Sequence, residues 1–158
     1  MTTPYIYVAS SWRNASQPAV IKVLRGCGAI NLKVGAPEFG VYDFKDSEGF
    51  RWTDVDPTWD FENREPVDLL RYAYMSIHPL AQKGYWRDMD ALKKATAALL
   101  VLPCGRSAHL EFGYAVGQGK QTAIYYPEKE EPDLMWKMAD EFIHNASELV
   151  AWGLDIFS

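Results

Sequence analysis

The sequence has few cysteines, few histidines, no long apolar run and no surplus of positive charge, and each shortage excludes something. Two cysteines, Cys27 and Cys104, in 158 residues make neither a disulfide framework nor a C-x-x-C pair, so both are expected to be reduced. The three histidines, His78, His109 and His144, lack metal-ligand spacing, so no metal is expected. No segment approaches the ~20 apolar residues of a membrane span. The apolar run Tyr5–Ala9 is too short for a secretory leader and has no basic residues before it. A cytoplasmic protein is the expectation, and there the glycosylation patterns at Asn14 and Asn145 carry no meaning. A formal net charge of -5 disfavours a nucleic-acid polymer as partner, because such a partner needs a basic stripe. Glycine is too sparse for a dinucleotide fingerprint or a P-loop, and no serine sits in a G-x-S-x-G elbow.

What is present is ordinary globular material. Hydrophobic residues make up 48% and charged residues 23%, which fits one domain over residues 1–158. The acid is concentrated: residues 43–68 hold nine Asp or Glu against three Lys or Arg, a local -6. The stretch 45–63 also carries Phe50, Trp52, Trp59 and Phe61 and reads as an irregular insertion, either a packed loop, a subunit contact or a substrate lid.

Short apolar runs alternate with helical patterns. Strands are expected at 5–10, 97–102, 121–126 and 148–152, with weaker candidates at 30–34 and 39–44. Helices are expected from Ser16 to the Gly26-Cys27-Gly28 stop, at 65–78 and 80–95, from Ser107 to Gln118, and at 132–144. This alternation predicts an α/β sandwich with a mainly parallel sheet of about five strands, helices covering both faces. Ligands in such sheets bind outside the carboxyl ends of the strands. Two polar loops fall at such ends. One holds Ser10, Ser11, Trp12 and Arg13; the other holds Cys104, Gly105, Arg106 and Ser107, with His109 just beyond.

Glu111 stands out in the helix after the second loop. Ser107 is the expected N-cap, with Glu111 and Tyr114 on its face and Leu110, Ala115 and Val116 turned to the core. Gly113 and Gly117 each cost a helix about 1 kcal/mol relative to Ala, which suggests close packing on the sheet or room for a ligand. A carboxylate near a helix N-terminus is favoured ionised, as a nucleophile or electrostatic stabiliser needs. On pattern alone, the commoner role of such a glutamate is to complement the helix dipole. Asp90 and its neighbour Asp88 offer a second carboxylate, or else a solvated pair with Arg87 or Lys93. The hydroxyls and guanidinium groups of Ser10, Ser11, Arg13, Arg106 and Ser107 suit one phosphate or carboxylate. Cys104 is a formal nucleophile candidate, with His109 nearby in sequence.

Two segments together, Tyr7-Val-Ala-Ser-Ser-Trp12 and Glu111-Phe-Gly113-Tyr-Ala-Val-Gly-Gln-Gly-Lys120, resemble the nucleoside 2-deoxyribosyltransferase family. The resemblance covers roughly 4–43 and 85–127. It implies a doubly wound, flavodoxin-like fold and chemistry at an N-glycosidic bond. It implies Glu111 as nucleophile, Tyr7 as the tyrosine that orients it, Trp12 at the substrate border, and Asp90 as the upstream aspartate. That weight turns the reading of Glu111 from dipole complement to nucleophile. One departure stands out. The family's transferases carry an acid six positions before the glutamate, and its monophosphate hydrolases a serine; here the residue is Gly105, followed by Arg106 and Ser107. The change leans toward an anionic substrate.

The expected reaction is a retaining double displacement through a glycosyl–enzyme ester, Asp90 protonating the leaving base, with no metal or organic cofactor. The partner is a small nucleoside or nucleotide. The rivals are a nucleoside 5′-monophosphate N-glycosidase, in which Arg106, Ser107 and Ser10 hold phosphate, a nucleotide-sensing module without turnover, and an assembly protein. The resemblance also implies a homo-oligomer, to whose site the aromatic C-terminus at 152–158 would contribute.

Overall fold

Apolar five-residue runs set the centre of the sheet, and short edge strands close it. A computed structural model of the chain describes residues 2–46 and 49–158. The strands are β1 (Tyr5–Ala9), β2 (Gly40–Tyr42), β3 (Ala97–Val101), β4 (Gln121–Tyr125) and β5 (Glu141–Ile143). They pair in the order β2-β1-β3-β4-β5, all parallel, the doubly wound order of flavodoxin-like folds. The helices are α1 (Gln17–Lys33), α2 (Trp52–Val55), α3 (Leu69–Ser76), α4 (Pro79–Lys94), α5 (Arg106–Gly117) and α6 (Ala146–Ile156). None is long and apolar enough to cross a membrane.

The chain divides into two compact units, Met1–Asp43 with Leu92–Ser158, and Phe44–Ala91. The first holds the sheet. Strand alternation sends Ile6, Val8, Leu99 and Val101 to one face, where they meet Val20, Ile21 and Leu24 of α1 and Leu149, Trp152 and Ile156 of α6. The other face carries Tyr7, Ala9, Ala98, Leu100 and Ile124. There α5 lies across β3, β4 and β1, and its buried stripe is Ala108, Phe112 and Ala115.

Four expected elements come out differently. Helix α1 does not stop at Gly26-Cys27-Gly28. Cys27 and Gly28 are buried, and a Cβ on Gly28 would sit 2.3 Å from the Phe39 ring, so this glycine serves close packing. The stop comes at Gly35, whose φ of 92° and bond to the Leu32 carbonyl close the end. The weak strand at 30–34 is therefore the last turns of α1. The helix expected at 132–144 is instead a 3-10 turn, Leu134–Met138, followed by β5. The Asp140 carboxylate accepts from the Thr122 amide at 2.8 Å and hydroxyl at 3.0 Å, which fixes the chain in line for pairing with β4. The strand expected at 148–152 is part of α6. Asn145 caps that helix by accepting from the Glu148 amide at 2.9 Å, and Leu149, Trp152, Gly153 and Ile156 are its buried stripe. Trp152 and Phe157, 4% and 1% exposed, are core residues, which removes them from the surface offered to a neighbouring subunit.

The second unit contains the acidic, aromatic insertion. It includes a 3-10 turn at Phe44–Asp46 and the short α2. The Phe50 and Trp52 rings meet edge to face with centroids 4.7 Å apart, and Trp52 meets Tyr72 of α3 at 6.0 Å. Arg71 donates two bonds to Asp56, at 2.8 and 3.2 Å, and one to Glu65 at 3.1 Å. Bonds from Thr58 and Arg71 bring the Asp56 carboxyl down to about 2. The described residues of 45–63 are thus packed and tied within this unit, with Tyr72 and Arg71 of α3 supplying a ring and a charge.

Candidate active site

At the carboxyl end of β1 the chain is held to the end of β3 by side chains. Ser10 Oγ donates to the Val101 carbonyl at 3.0 Å. Asn14, 4% exposed, donates through Nδ2 to the carbonyls of Val101 at 3.3 Å and Pro103 at 3.0 Å. Its Oδ1 accepts from the amides of Ser16 at 2.8 Å and Gln17 at 2.9 Å, so Asn14, not Ser16, supplies the capping oxygen of α1. Asn14→Ala removes four bonds from a buried joint. The expected loss is about 1–3 kcal/mol in urea unfolding; a change below about 0.5 kcal/mol would show that the loops hold each other without it.

This joint leaves Trp12 at the rim, 52% exposed, with Arg13 also exposed and Ser11 half-buried. Ser11 Oγ accepts from the Arg13 amide at 3.2 Å. Tyr7 is 1% exposed and stacks on Tyr42 of β2, its register partner, with centroids 4.9 Å apart. Because Ile6 and Val8 join the α1 and α6 core, Tyr7 points to the face that α5 covers.

The N-cap position of α5 falls on Gly105, two residues before the expected Ser107, so Ser107 lies inside the first turn and is exposed with Arg106. Leu110, expected in the core, is 76% exposed. Glu111 is half-buried. At 100° per residue it borders the Ala108–Phe112–Ala115 stripe on one flank and His109 borders it on the other. A Cβ added at Gly113 or Gly117 would meet nothing within 4 Å, so neither glycine serves close packing on the sheet. The helix ends in a Schellman turn, Gly119 at φ 68° bonding to Val116 and Lys120 to Ala115.

His109 has both ring nitrogens engaged within the protein. Trp136 Nε1 donates to Nε2 at 3.1 Å, and Nδ1 lies 2.8 Å from the Gly105 carbonyl and 3.6 Å from Cys104 Sγ. A proton on Nδ1, donated to that carbonyl, satisfies both contacts. Trp136 also meets Tyr126 edge to face at 5.5 Å. These contacts bind the loop after β4 to the start of α5. The sequence reading placed Trp136 inside a longer helix and so missed it.

Cys104 sits at the centre of this end of the sheet. Burial, then the charges of Glu130 and Glu111, push its thiol up to about 12. It is therefore a protonated thiol at neutral pH and no nucleophile. Two results are expected. Alkylation of Cys104 in the folded protein should stay slow through pH 9. Stability should be independent of this thiol below about pH 9, the ordinary value being 9.0, and decline from there toward 12 as only the unfolded chain ionises. Rapid modification at pH 8, read by peptide mass, would contradict the first.

In the second unit Asp88 is half-buried and pairs with Arg87, whose Nε and Nη2 both lie 3.2 Å from Oδ1, while Asp90 is exposed. A separate groove of about 390 Å³ lies at the amino end of β4, lined by Val116, Lys120, Thr122, Met138 and Asp140. Its Asp140 is engaged by Thr122 and its Lys120 by the carbonyls of Lys93 and Ala95. Ligands of doubly wound sheets bind at the opposite end.

A scan against protein-family models finds no match, and a search of curated proteins finds none. Among solved structures, the chain is similar to a 2-deoxyribosyltransferase from the psychrotolerant bacterium Bacillus psychrosaccharolyticus, described as a suitable biocatalyst for industrial synthesis of antiviral and antitumoral nucleosides. The two share 16% identity with a TM-score of 0.56, over 92% of this chain and 90% of that one. At that identity the likeness is one of fold.

Proposed function

We propose that this protein cleaves the N-glycosidic bond of a (2-deoxy)nucleoside and transfers the sugar, with Glu111 as nucleophile. The observation that carries the reading is the place of Glu111. It is a half-buried carboxylate on the helix after β3, at the end of a parallel sheet where ligands of such folds bind. The fold shared with a nucleoside-processing transferase supports the same chemistry.

A carboxylate oxygen of Glu111 attacks C1′ of the sugar. The C1′–N bond breaks, its electron pair leaves with the base, and a proton is delivered to that nitrogen, the role expected of Asp90. The resulting ester gives up C1′ to a nitrogen of a second base, or to water, which loses a proton as the carboxylate departs. Tyr7 is the residue proposed to orient Glu111, and Trp12, an exposed indole at the rim, offers its face to a nucleobase.

The test is chromatographic. The protein is incubated with nucleosides and their 5′-monophosphates, with and without a free acceptor base, beside the Glu111→Ala and Asp90→Asn variants. A new nucleoside formed only with acceptor base, and absent with Glu111→Ala, is the expected result. Base released from monophosphates alone would move the assignment to a monophosphate N-glycosidase. No turnover of any substrate would remove the enzymatic reading in favour of a binding module.

A further inference from the structure

Helix α3 carries its apolar stripe on the outside. Its one buried residue is Met75. Met75 is flanked by Arg71, bonded to Asp56 and Glu65, and by Tyr72, whose ring meets Trp52. The opposite side carries Leu69, Leu70, Ala73, Tyr74 and Ile77. At 100° per residue, and with Ile77 still in the right-handed helical region, these five fall within an arc of about 140° opposite Met75. None is charged, and Leu69, Leu70, Tyr74 and Ile77 are 85%, 82%, 78% and 66% exposed. An apolar arc of that width ordinarily faces a core. Here it faces outward, with an area on the order of 600 Å², the upper end of what a lone soluble chain exposes in one patch.

We infer that this face of α3 is where two copies of the chain associate, the two α3 helices lying antiparallel about a two-fold axis at Ala73. The inference is independent of the function proposed for Glu111. The face fits its own copy. Leu69 and Ile77 stand four residues either side of Ala73, so in an antiparallel pair Leu69 of one copy meets Ile77 of the other. Leu70 and Tyr74 of both copies then line one flank of the seam. The small residue lies at the centre, where it lets the helix axes approach to the ~8 Å of a close pair. The area suffices: two such faces remove on the order of 1,200 Å² from water, within the range of specific interfaces. The ends also match. Asp68, the capping carboxylate at the amino end of α3, comes to the carboxyl end of the other copy's helix, and antiparallel helix dipoles attract. A membrane surface fits poorly, because α3 has only eight residues and the adjoining segment 43–68, at a net -6, is repelled by anionic lipid.

The experiment is sedimentation equilibrium of the chain beside Leu70→Glu and Tyr74→Glu, with a cross-link in Ala73→Cys. The wild type is expected to be a dimer at about 20 µM, and each glutamate, entering the seam twice by symmetry, to raise the dissociation constant about 100-fold or more. Ala73→Cys treated with oxidised glutathione should run as a linked dimer on a non-reducing gel, because the two-fold axis sets that position against itself. The wild type, with Cys27 buried and Cys104 half-buried, should run as a single chain on the same gel. The cross-link is read with every large side chain in place, so it decides even where a glutamate variant is unstable. A monomeric wild type overturns the inference, and its pelleting with phosphatidylcholine vesicles would give the face to a membrane. A dimer that survives both glutamates, or that leaves Ala73→Cys unlinked, overturns it as well and puts the seam elsewhere. None of these results bears on Glu111.

Discussion

Glu111→Ala is expected to lower kcat for sugar transfer by at least about 10³-fold while the protein stays folded. In the proposed double displacement, the loss of the Glu111 carboxylate leaves no atom to form the glycosyl ester, and residual rate then comes from binding and positioning alone. The fold should tolerate the change, because Glu111 flanks the buried stripe of α5 and is not part of it. Alanine is also the better helix former, so the helix itself is not weakened. Glu111→Gln is the companion, since it keeps shape and volume and removes the charge. Mass spectrometry after a quench should find a glycosyl adduct on the α5 peptide in the wild type and none in either variant. Retention of activity within ten-fold in both would return Glu111 to the role of a dipole complement.

The largest stability effect is expected at Trp152. Its indole is 4% exposed and sits in the cluster that joins α1 and α6 to the sheet, beside Leu24, Ile21 and Ile143. Trp152→Ala should cost about 3–5 kcal/mol, from lost transfer energy and the cavity left behind. The neighbourhood cannot collapse easily. The next residue, Gly153, lies where a Cβ would already be 3.1 Å from the Leu24 and Cys27 side chains, so these α1 side chains pack directly on the α6 backbone. A chain of this size should lose about 10 °C of melting temperature. A loss under about 1 kcal/mol in denaturant titration would show that the C-terminal helix is peripheral to the sheet. The same experiment separates a core role for 146–157 from a surface role.

The sequence by itself determined what local chemistry determines. The continuous apolar run at 97–101 is a fully covered parallel strand, as its lack of alternation requires. The alternation of strands and helices was enough for a parallel sheet covered on both faces, and the family resemblance implied its doubly wound order. The Gly119 stop of α5 was legible because only a glycine takes its positive φ at no cost. The α6 cap was legible too. Asn145 with Glu148 three residues on is a capping signature, and Leu149, Trp152, Gly153 and Ile156 keep a helical period. The strand expected at 148–152 takes no account of it.

Other features were decided only by tertiary structure. Glycines at 26 and 28 read as a helix end, because a glycine that allows close approach and one that ends a helix look alike until Phe39 is placed over Gly28. The helix expected at 132–144 keeps only a 3-10 turn at 134–138, because the Thr122–Asp140 bonds hold the backbone extended from 140 into the fifth strand. The candidate site divides the same way. Glu111 and the β1 loop are visible as local patterns in polar segments at strand ends. Asn14, Tyr126 and Trp136 are not, because each acts through a partner that is distant in sequence or fixed by loop geometry. A chain records its periodicities and turn residues locally, but which side chain reaches across from the next strand's loop is set by the order in which the strands pack.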